Sequence, residues 1–284
     1  MIAPSRARRP GAAARRADDA AGVDPANCPF CEGHEDRTPP ETFAIARRPR
    51  DPDSPGWLVR VVPNLYPAFE RQEVVVHTPR HVRSIAELEA DEIAAVAEAW
   101  RDRARAGLAD GLGYLHAFVN EGREAGASLA HSHSQLAWLP ERPPAVTVEE
   151  GDGCRVCDWL ERELAAGARV VVERDGLVLL AAYAGRLPYE CLLAPREHAG
   201  GSAFESKLLP PALGLLAGAV GRLHDLEGRV ALNAWVHNGD HWHLELLPRI
   251  SVLAGLELGA GVYVNTLAPE DAAARLRTSG GGSR

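Results

Sequence analysis

Two kinds of hydrophobic spacing alternate along this chain. Leu58-Val-Arg-Val-Val62 and Glu73-Val-Val-Val-His77 are short runs rich in β-branched residues and bounded by proline or glycine, which predicts strands. Ser84 followed by Glu87 has the form of a capping box and predicts an amphipathic helix from there to about Arg105. Tyr114 to Val119 and His131 to Leu139 read as the next two strands. The order then recurs: strands over Val170 to Glu173, Leu177 to Tyr183 and Glu190 to Ala194, a helix near Lys207 to Leu226, and strands over Val230 to Val236 and His241 to Leu247. A last helix is expected over Pro269 to Arg277, with proline at its first position. Strands grouped around single helices in this order predict an α+β fold, an antiparallel sheet with helices packed on one face.

The recurrence extends to the chemistry-bearing residues. Cys28 and Cys31 are followed by His81 after 50 residues and by His131 after another 50, with His133 two further on. In the second half Cys154 and Cys157 are followed by His198 after 41 residues and by His241 after 43, again with a histidine, His243, two further on. Two copies of one unit account for this economically. The expected divisions are residues 1–140, a proline- and acid-rich linker at 141–153, and residues 154–284.

Zinc favours four thiolate and imidazole ligands, and a Cys-x-x-Cys turn presents two sulfurs to one ion. Cys28, Cys31, His81 and His131 form the first candidate set, and repeat logic gives Cys154, Cys157, His198 and His241 as the second. A redox pair is the rival reading of Cys-x-x-Cys, but it wants a neighbouring βαβ unit that the pattern lacks. Both sets are structural in kind, because four protein ligands leave no position for water. The stretch from Asn120 to Gln135 offers different chemistry. Gly122, Gly126 and Ser128 supply a turn whose N–H groups can approach a phosphate. In an extended segment His131, His133 and Gln135 would share one face, with roughly 7 Å between successive Cα atoms. A surface cluster of alternating histidines is the plainer reading of the same residues.

Asn-x-Gly-x-x-x-Gly-x-Ser followed by His-x-His-x-Gln resembles the active-site signature of the galactose-1-phosphate uridylyltransferase family, a branch of the histidine-triad superfamily. Further blocks resemble the family in family order: Ile2 to Pro10, Cys28-Pro-Phe-Cys31, Val62 to Pro67, Thr78-Pro-Arg-His81, His241 to Arg249, and Ala254 to Asn265. The resemblance implies two fused histidine-triad-like units, the first catalytic and the second a degenerate, structural and sugar-binding copy. It implies ping-pong transfer in which His133 attacks the α-phosphorus of a nucleotide sugar, expels a sugar 1-phosphate, and passes the nucleotidyl group to a second sugar 1-phosphate. UDP-glucose and galactose 1-phosphate are the leading pair. Gln135 stands where hydrolases of the superfamily carry a third histidine, and an amide cannot act as a general acid but can donate to a phosphoryl oxygen. An ADP-sugar phosphorylase or adenylyltransferase is the alternative, with a nucleotide hydrolase behind it.

By the same resemblance Arg6, Arg9, Asn64 and Asn120 are expected near nucleoside and phosphates, Ser128 beside the transferring phosphate, and Glu257 and Asn265 at the sugar. The resemblance supports the first zinc set and leaves the second ion as zinc or iron, since some relatives bind a metal through three histidines and a carboxylate, and His237, His241 and His243 match those histidines. It also admits a homodimer. Two departures bear on it: relatives usually have another strand before the point where Met1 stands, which predicts a start upstream or a missing edge, and Ser132 replaces a proline, as in relatives that use adenine nucleotides.

Composition agrees with a cytoplasmic enzyme. The 284 residues are 46% hydrophobic, and a net charge of −8 argues against a nucleic-acid partner. No apolar run approaches a membrane span. Five cysteines, four in Cys-x-x-Cys pairs, suit metal in a reducing compartment.

Overall fold

The computed structural model describes residues 24–151, 153–198 and 200–279, and its contacts divide the chain into two compact units, 1–142 and 143–284. The fold is α+β and built on antiparallel sheet.

In the first unit β1 (Phe43–Ala46), β2 (Trp57–Pro63), β3 (Gln72–Val76), β4 (Tyr114–Glu121) and β5 (His133–Leu139) run side by side in the order β1-β2-β3-β5-β4. The single long helix α1 (Ala90–Ala109) covers one face. Side chains alternate across a strand, so the residues that meet α1 identify the free face. Trp100 of α1 donates to Ser134 Oγ at 2.9 Å, and Arg103 holds both oxygens of Glu73 at 2.9 Å. Near the end of α1, Gly107 lies against Trp138 so closely that a Cβ would come within 2.0 Å of the indole nitrogen. Glu73, Ser134 and Trp138 therefore face the helix, and Gln72, His133 and Gln135 face away from it.

Helix α1 starts later than the sequence predicts. Ser84 does cap, accepting from Ala86 N–H, but it caps a 3₁₀ turn at Ile85–Glu87. Leu88 then turns extended, and a reciprocal box between Glu89 and Glu92 opens the α-helix. Two capping signals five residues apart compete, and the second continues because Ala95, Val96, Ala99 and Trp100 come after it at helical spacing and are buried.

The second unit begins with a helical turn, α2 (Pro144–Thr147), and a short ribbon of β6 (Glu150–Gly151) and β7 (Gly153–Cys154). The sequence pattern did not anticipate α3 (Arg155–Ala166), which packs through Val156 and Leu160 on Val178, Leu180 and Ala194. Strands β8 (Val170–Arg174), β9 (Leu177–Ala181), β10 (Cys191–Pro195), β11 (Leu232–His237) and β12 (His243–Pro248) lie in the order β11-β12-β10-β9-β8. Helix α4 (Leu209–Glu227) precedes β11, and a short α5 (Gly255–Ala260) and α6 (Pro269–Thr278) close the chain, α6 packing on β8, β9 and α4. Strand order relative to the helix repeats that of the first unit, β10-α4-β11-β12 answering β3-α1-β4-β5. Among the described residues no helix is long and apolar enough to cross a membrane.

Candidate active site and metal centres

Each Cys-x-x-Cys pair meets the two histidines its spacing selected. Cys28 and Cys31 lie in a turn, His81 in the loop after β3, and His131 just ahead of β5. Cys28 Sγ is 3.5 Å from His131 Nδ1, and Cys31 Sγ is 3.1 Å from His81 Nδ1 and 3.7 Å from His131 Nδ1. A tetrahedral ion with zinc-like bond lengths sets sulfur and nitrogen about 3.6 Å apart, so these donors fit one cation. Burial and the neighbouring Cys28 push the Cys31 thiol up to about 12, and a bound cation is what lets two adjacent buried thiols ionise.

The second set repeats the geometry. Cys154 Sγ is 3.5 Å and Cys157 Sγ 3.3 Å from His241 Nδ1, with Cys157 Sγ 3.5 Å from His198 Nδ1. Here the turn is the start of α3, whose first N–H groups include that of Cys157, which donates to Cys154 Sγ. Burial, then Cys154, raises the Cys157 thiol to about 11. The outer nitrogens repeat as well: His131 Nε2 donates to Thr78 O at 2.8 Å and His241 Nε2 to Pro195 O at 2.9 Å, each carbonyl three residues before the other histidine of its set. Those bonds fix the tautomer that turns both Nδ1 lone pairs toward the thiols.

A third group forms in the second unit, where Glu149, His237 and His243 bring one donor atom each within 4.8 Å of one another. His237 Nδ1 lies 3.0 Å from Glu149 and its Nε2 3.0 Å from Glu245, which also pairs with Arg186 at 2.6 Å. Burial opposes a charge on His237, but the two carboxylates outweigh it and raise the imidazole to about 9. His243 goes the other way, to about 4, through burial and the adjacent His237. The resemblance offered His237, His241 and His243 with a carboxylate as an alternative ligand set. The structure turns His241 to the thiols and gathers His237 and His243 with Glu149, a residue that sequence reasoning treated as linker.

His133 opens β5 on the face away from α1. Its Nδ1 is 2.6 Å from His131 O. A carbonyl only accepts, so Nδ1 carries the proton and Nε2 keeps its lone pair. The two histidines of the motif are thus opposite tautomers, one offering Nδ1 to the thiols and the other keeping its lone pair on Nε2. Phe30, inside the first Cys-x-x-Cys turn, stands edge-on to both rings, 6.1 Å from His131 and 5.3 Å from His133, and carried no signal in the sequence beyond its place between the cysteines.

Gln135 follows on the same face, its Oε1 accepting from Gln72 at 2.7 Å and Asn64 at 3.3 Å. Across the β4–β5 pair Phe118 lies opposite Gln135, and Asn120 sits two residues further along that face of β4. After β4, Gly122 (φ 80°) and the left-handed Gly126 (φ 84°) bracket a 3₁₀ turn at Arg123–Ala125, leading through Ser128 to His131. No neighbour stands within 4 Å of where a Gly126 Cβ would be, so that position is glycine for its backbone angle. His131 itself lies in a bend, and the strand begins only at His133.

Arg6 and Arg9 lie outside the described residues. Glu257 caps α5, accepting from Ala254 N–H at 2.9 Å. Asn265 donates to Gly185 O at 3.0 Å and Leu187 O at 3.1 Å, tying its segment to the β9–β10 connection.

The family described as galactose-1-phosphate uridyl transferase, N-terminal domain, matches residues 67–143. ADP-glucose phosphorylase of Arabidopsis thaliana is 27% identical over 98% of this chain and 89% of its own length. Galactose-1-phosphate uridylyltransferase of Thermotoga maritima is 27% identical over 88% of each. Among solved structures, a galactose-1-phosphate uridylyltransferase-like protein from Arabidopsis thaliana superposes with a TM-score of 0.76 at 27% identity, covering 90% of this chain and 93% of that one. The ADP-glucose phosphorylase of that plant with bound ADP-glucose gives 0.75 at 27% identity, over 95% and 94%. The His-x-His-x-Gln segment, its glycine turn and the antiparallel strands of each unit go with these likenesses, and over nearly its whole length the chain is similar to galactose-1-phosphate uridylyltransferases and to an ADP-glucose phosphorylase.

Proposed function

We propose that this chain is a nucleotidyltransferase that moves a nucleoside monophosphate between a nucleotide sugar and a sugar 1-phosphate by way of a covalent nucleotidyl-histidine at His133. The observation that carries this reading is the 2.6 Å bond from His133 Nδ1 to His131 O, which leaves Nε2 unprotonated and nucleophilic. In the first half-reaction an Nε2–P bond forms at the α-phosphorus, the bond to the bridging oxygen breaks, and sugar 1-phosphate leaves with that oxygen. In the second, a phosphate oxygen of the acceptor attacks the same phosphorus and the N–P bond breaks, returning the lone pair to Nε2. Gln135 Nε2 donates to a non-bridging oxygen as charge gathers there. Gln135 has no proton to give a leaving group, which disfavours hydrolysis as the main outcome. Asn64, Asn120, Gly122, Gly126 and Ser128 bind the nucleotide and phosphates in this reading, joined by Arg6 and Arg9, with Glu257 and Asn265 assigned to the sugar.

The two four-ligand sets would hold zinc, which would brace the turn and loop around His131 and take no part in the transfer. The group at Glu149, His237 and His243 is a further place for a metal. Uridylyl transfer from UDP-glucose to galactose 1-phosphate is one form of the activity. Adenylyl transfer from an ADP-sugar, with orthophosphate as acceptor, is the second, favoured by the near-complete span of the likeness to ADP-glucose phosphorylase and by Ser132 in the motif. Incubating the protein with each nucleotide sugar and no acceptor tests both. The expected result is a mass increase of one nucleoside monophosphate at His133, acid-labile and base-stable, cleared by sugar 1-phosphate or orthophosphate. No adduct across uridine and adenine nucleotide sugars would sink the reading.

A further inference from the structure

The catalytic amide can sit either way round, and only one way serves a phosphoryl oxygen: Nε2 must face the substrate. Backbone N–H groups cannot be reversed, so they settle the orientation wherever a chain of amides ends on one. Two such chains end on Gln135. In the first, Ala68 N–H donates to Gln72 Oε1 at 2.8 Å, which turns Gln72 Nε2 to Gln135 Oε1 at 2.7 Å. In the second, Tyr66 N–H donates to Asn64 Oδ1 at 2.8 Å, which turns Asn64 Nδ2 to the same Gln135 Oε1 at 3.3 Å. Gln72 is buried at the start of β3, opposite Ala137 of β5, and so diagonal to Gln135 on the face away from α1. With both lone-pair directions of its carbonyl oxygen occupied, Gln135 keeps Nε2 without a protein partner among the described residues.

We propose that Gln72 is a positioning residue, assisted by Asn64: the loop backbone between Asn64 and Ala68 dictates, through these amides, that Gln135 presents its N–H groups and never its carbonyl to the transferring phosphate. The proposal rests on the transferase reading above for what Gln135 does, and on the hydrogen bonds alone for how it is held. Its sharpest consequence is reversal. In Gln72→Glu the new carboxylate still accepts from Ala68 N–H but has nothing to donate, so Gln135 rotates to give Nε2–H to that carboxylate and turns Oε1, a repelling atom, toward the phosphate.

The test is the rate of nucleotidyl-histidine formation in a single turnover at saturating nucleotide sugar, with metal content and thermal midpoint measured alongside. Gln72→Glu should slow the step about 10²-fold, the scale of losing one oxyanion donor, with KM nearly unchanged and the metal retained. Gln72→Leu, which removes one relay without reversing it, should cost less, about 10-fold. In the Gln135→Ala background Gln72→Glu should have no further effect. A wild-type rate in Gln72→Glu, or a loss that adds to that of Gln135→Ala, overturns the proposal. Amide NMR separates it from the transferase reading: the Gln135 side-chain protons, identified by their disappearance in Gln135→Ala, should exchange rapidly in the wild type and become protected in Gln72→Glu. Unchanged exchange rejects the relay whether or not the protein transfers anything, whereas protected protons in a protein that forms no adduct reject only the chemistry.

Discussion

The two units carry one arrangement of backbone and two chemistries. In each, a histidine ahead of a strand turns Nδ1 to a pair of thiols and donates Nε2 to a carbonyl three residues before its companion ligand. In each, a second histidine two residues on begins the strand. The next alternate position then differs, Gln135 in the first unit and Glu245 in the second. Around Gln135 stand the amides of Gln72 and Asn64, neutral donors to its carbonyl oxygen. Around Glu245 stand His237 and Arg186, with Glu149 across from them. A carboxylate at that position recruits cations, and the histidine beside it becomes part of a charged cluster. The difference teaches that the cysteine–histidine frame sets where the second histidine stands, while the amide or acid at the next alternate position sets which side chains gather beside it.

The comparison breaks most sharply at the histidines. His133→Ala should abolish adduct formation while keeping the metal of the first set, and His243→Ala should leave the adduct in place, as read by intact mass; equal loss in both would make the units chemically equivalent. Next in size are the metal frames. Cys28→Ser and Cys154→Ser should each release one equivalent by elemental analysis and cost several kcal/mol, a fall of about 10 °C or more in the thermal midpoint. Retention of the ion in either would separate the frames.

A smaller effect, confined to the second unit, comes from His237. Its proton is held up to about 9 when folded against an ordinary 6.5, so the stability it contributes is complete below about 6.5 and lost as the pH climbs through about 9. In metal-free protein the loss should be on the order of 2 kcal/mol, and His237→Gln should flatten that limb of the pH profile. Glu149, Glu245 and His243 face the ring, with Arg186 paired to Glu245 behind them, so a metal bound there should also abolish the slope. The smallest test compares the two long helices. Gly107→Ala drives a methyl into Trp138 and should cost about 1–3 kcal/mol. Gly218→Ala on α4 meets nothing within 4 Å and should stabilise by about 0.5–1 kcal/mol. Opposite signs in chemical denaturation would confirm that only α1 needs a glycine to seat on its sheet.

Much of this was legible because it is written in spacing and residue type. Cys28, Cys31, His81 and His131 are chemically unusual enough for their intervals to repeat visibly at Cys154, Cys157, His198 and His241, and β-branched runs mark β2 and β3 directly. The order of β2 to β5, of β8 to β12 and of α1, α4 and α6 followed from periodicity, and with it the α+β class, whereas β1 and α3 gave no signal that was read. Tertiary structure alone decided the rest, because it depended on which of several equivalent local options was used. Ser84 and Glu89 both cap well, and the burial of Ala95, Val96, Ala99 and Trp100 beyond Glu89 chose the helix start. His237, His241 and His243 are alike as ligands, and only packing sent one to the thiols and two to Glu149, an acid indistinguishable from its linker neighbours. Gln135 names an amide but not its orientation. That orientation is set by backbone N–H groups of Tyr66 and Ala68, which have no side-chain identity to read and acquire a direction only when the chain folds.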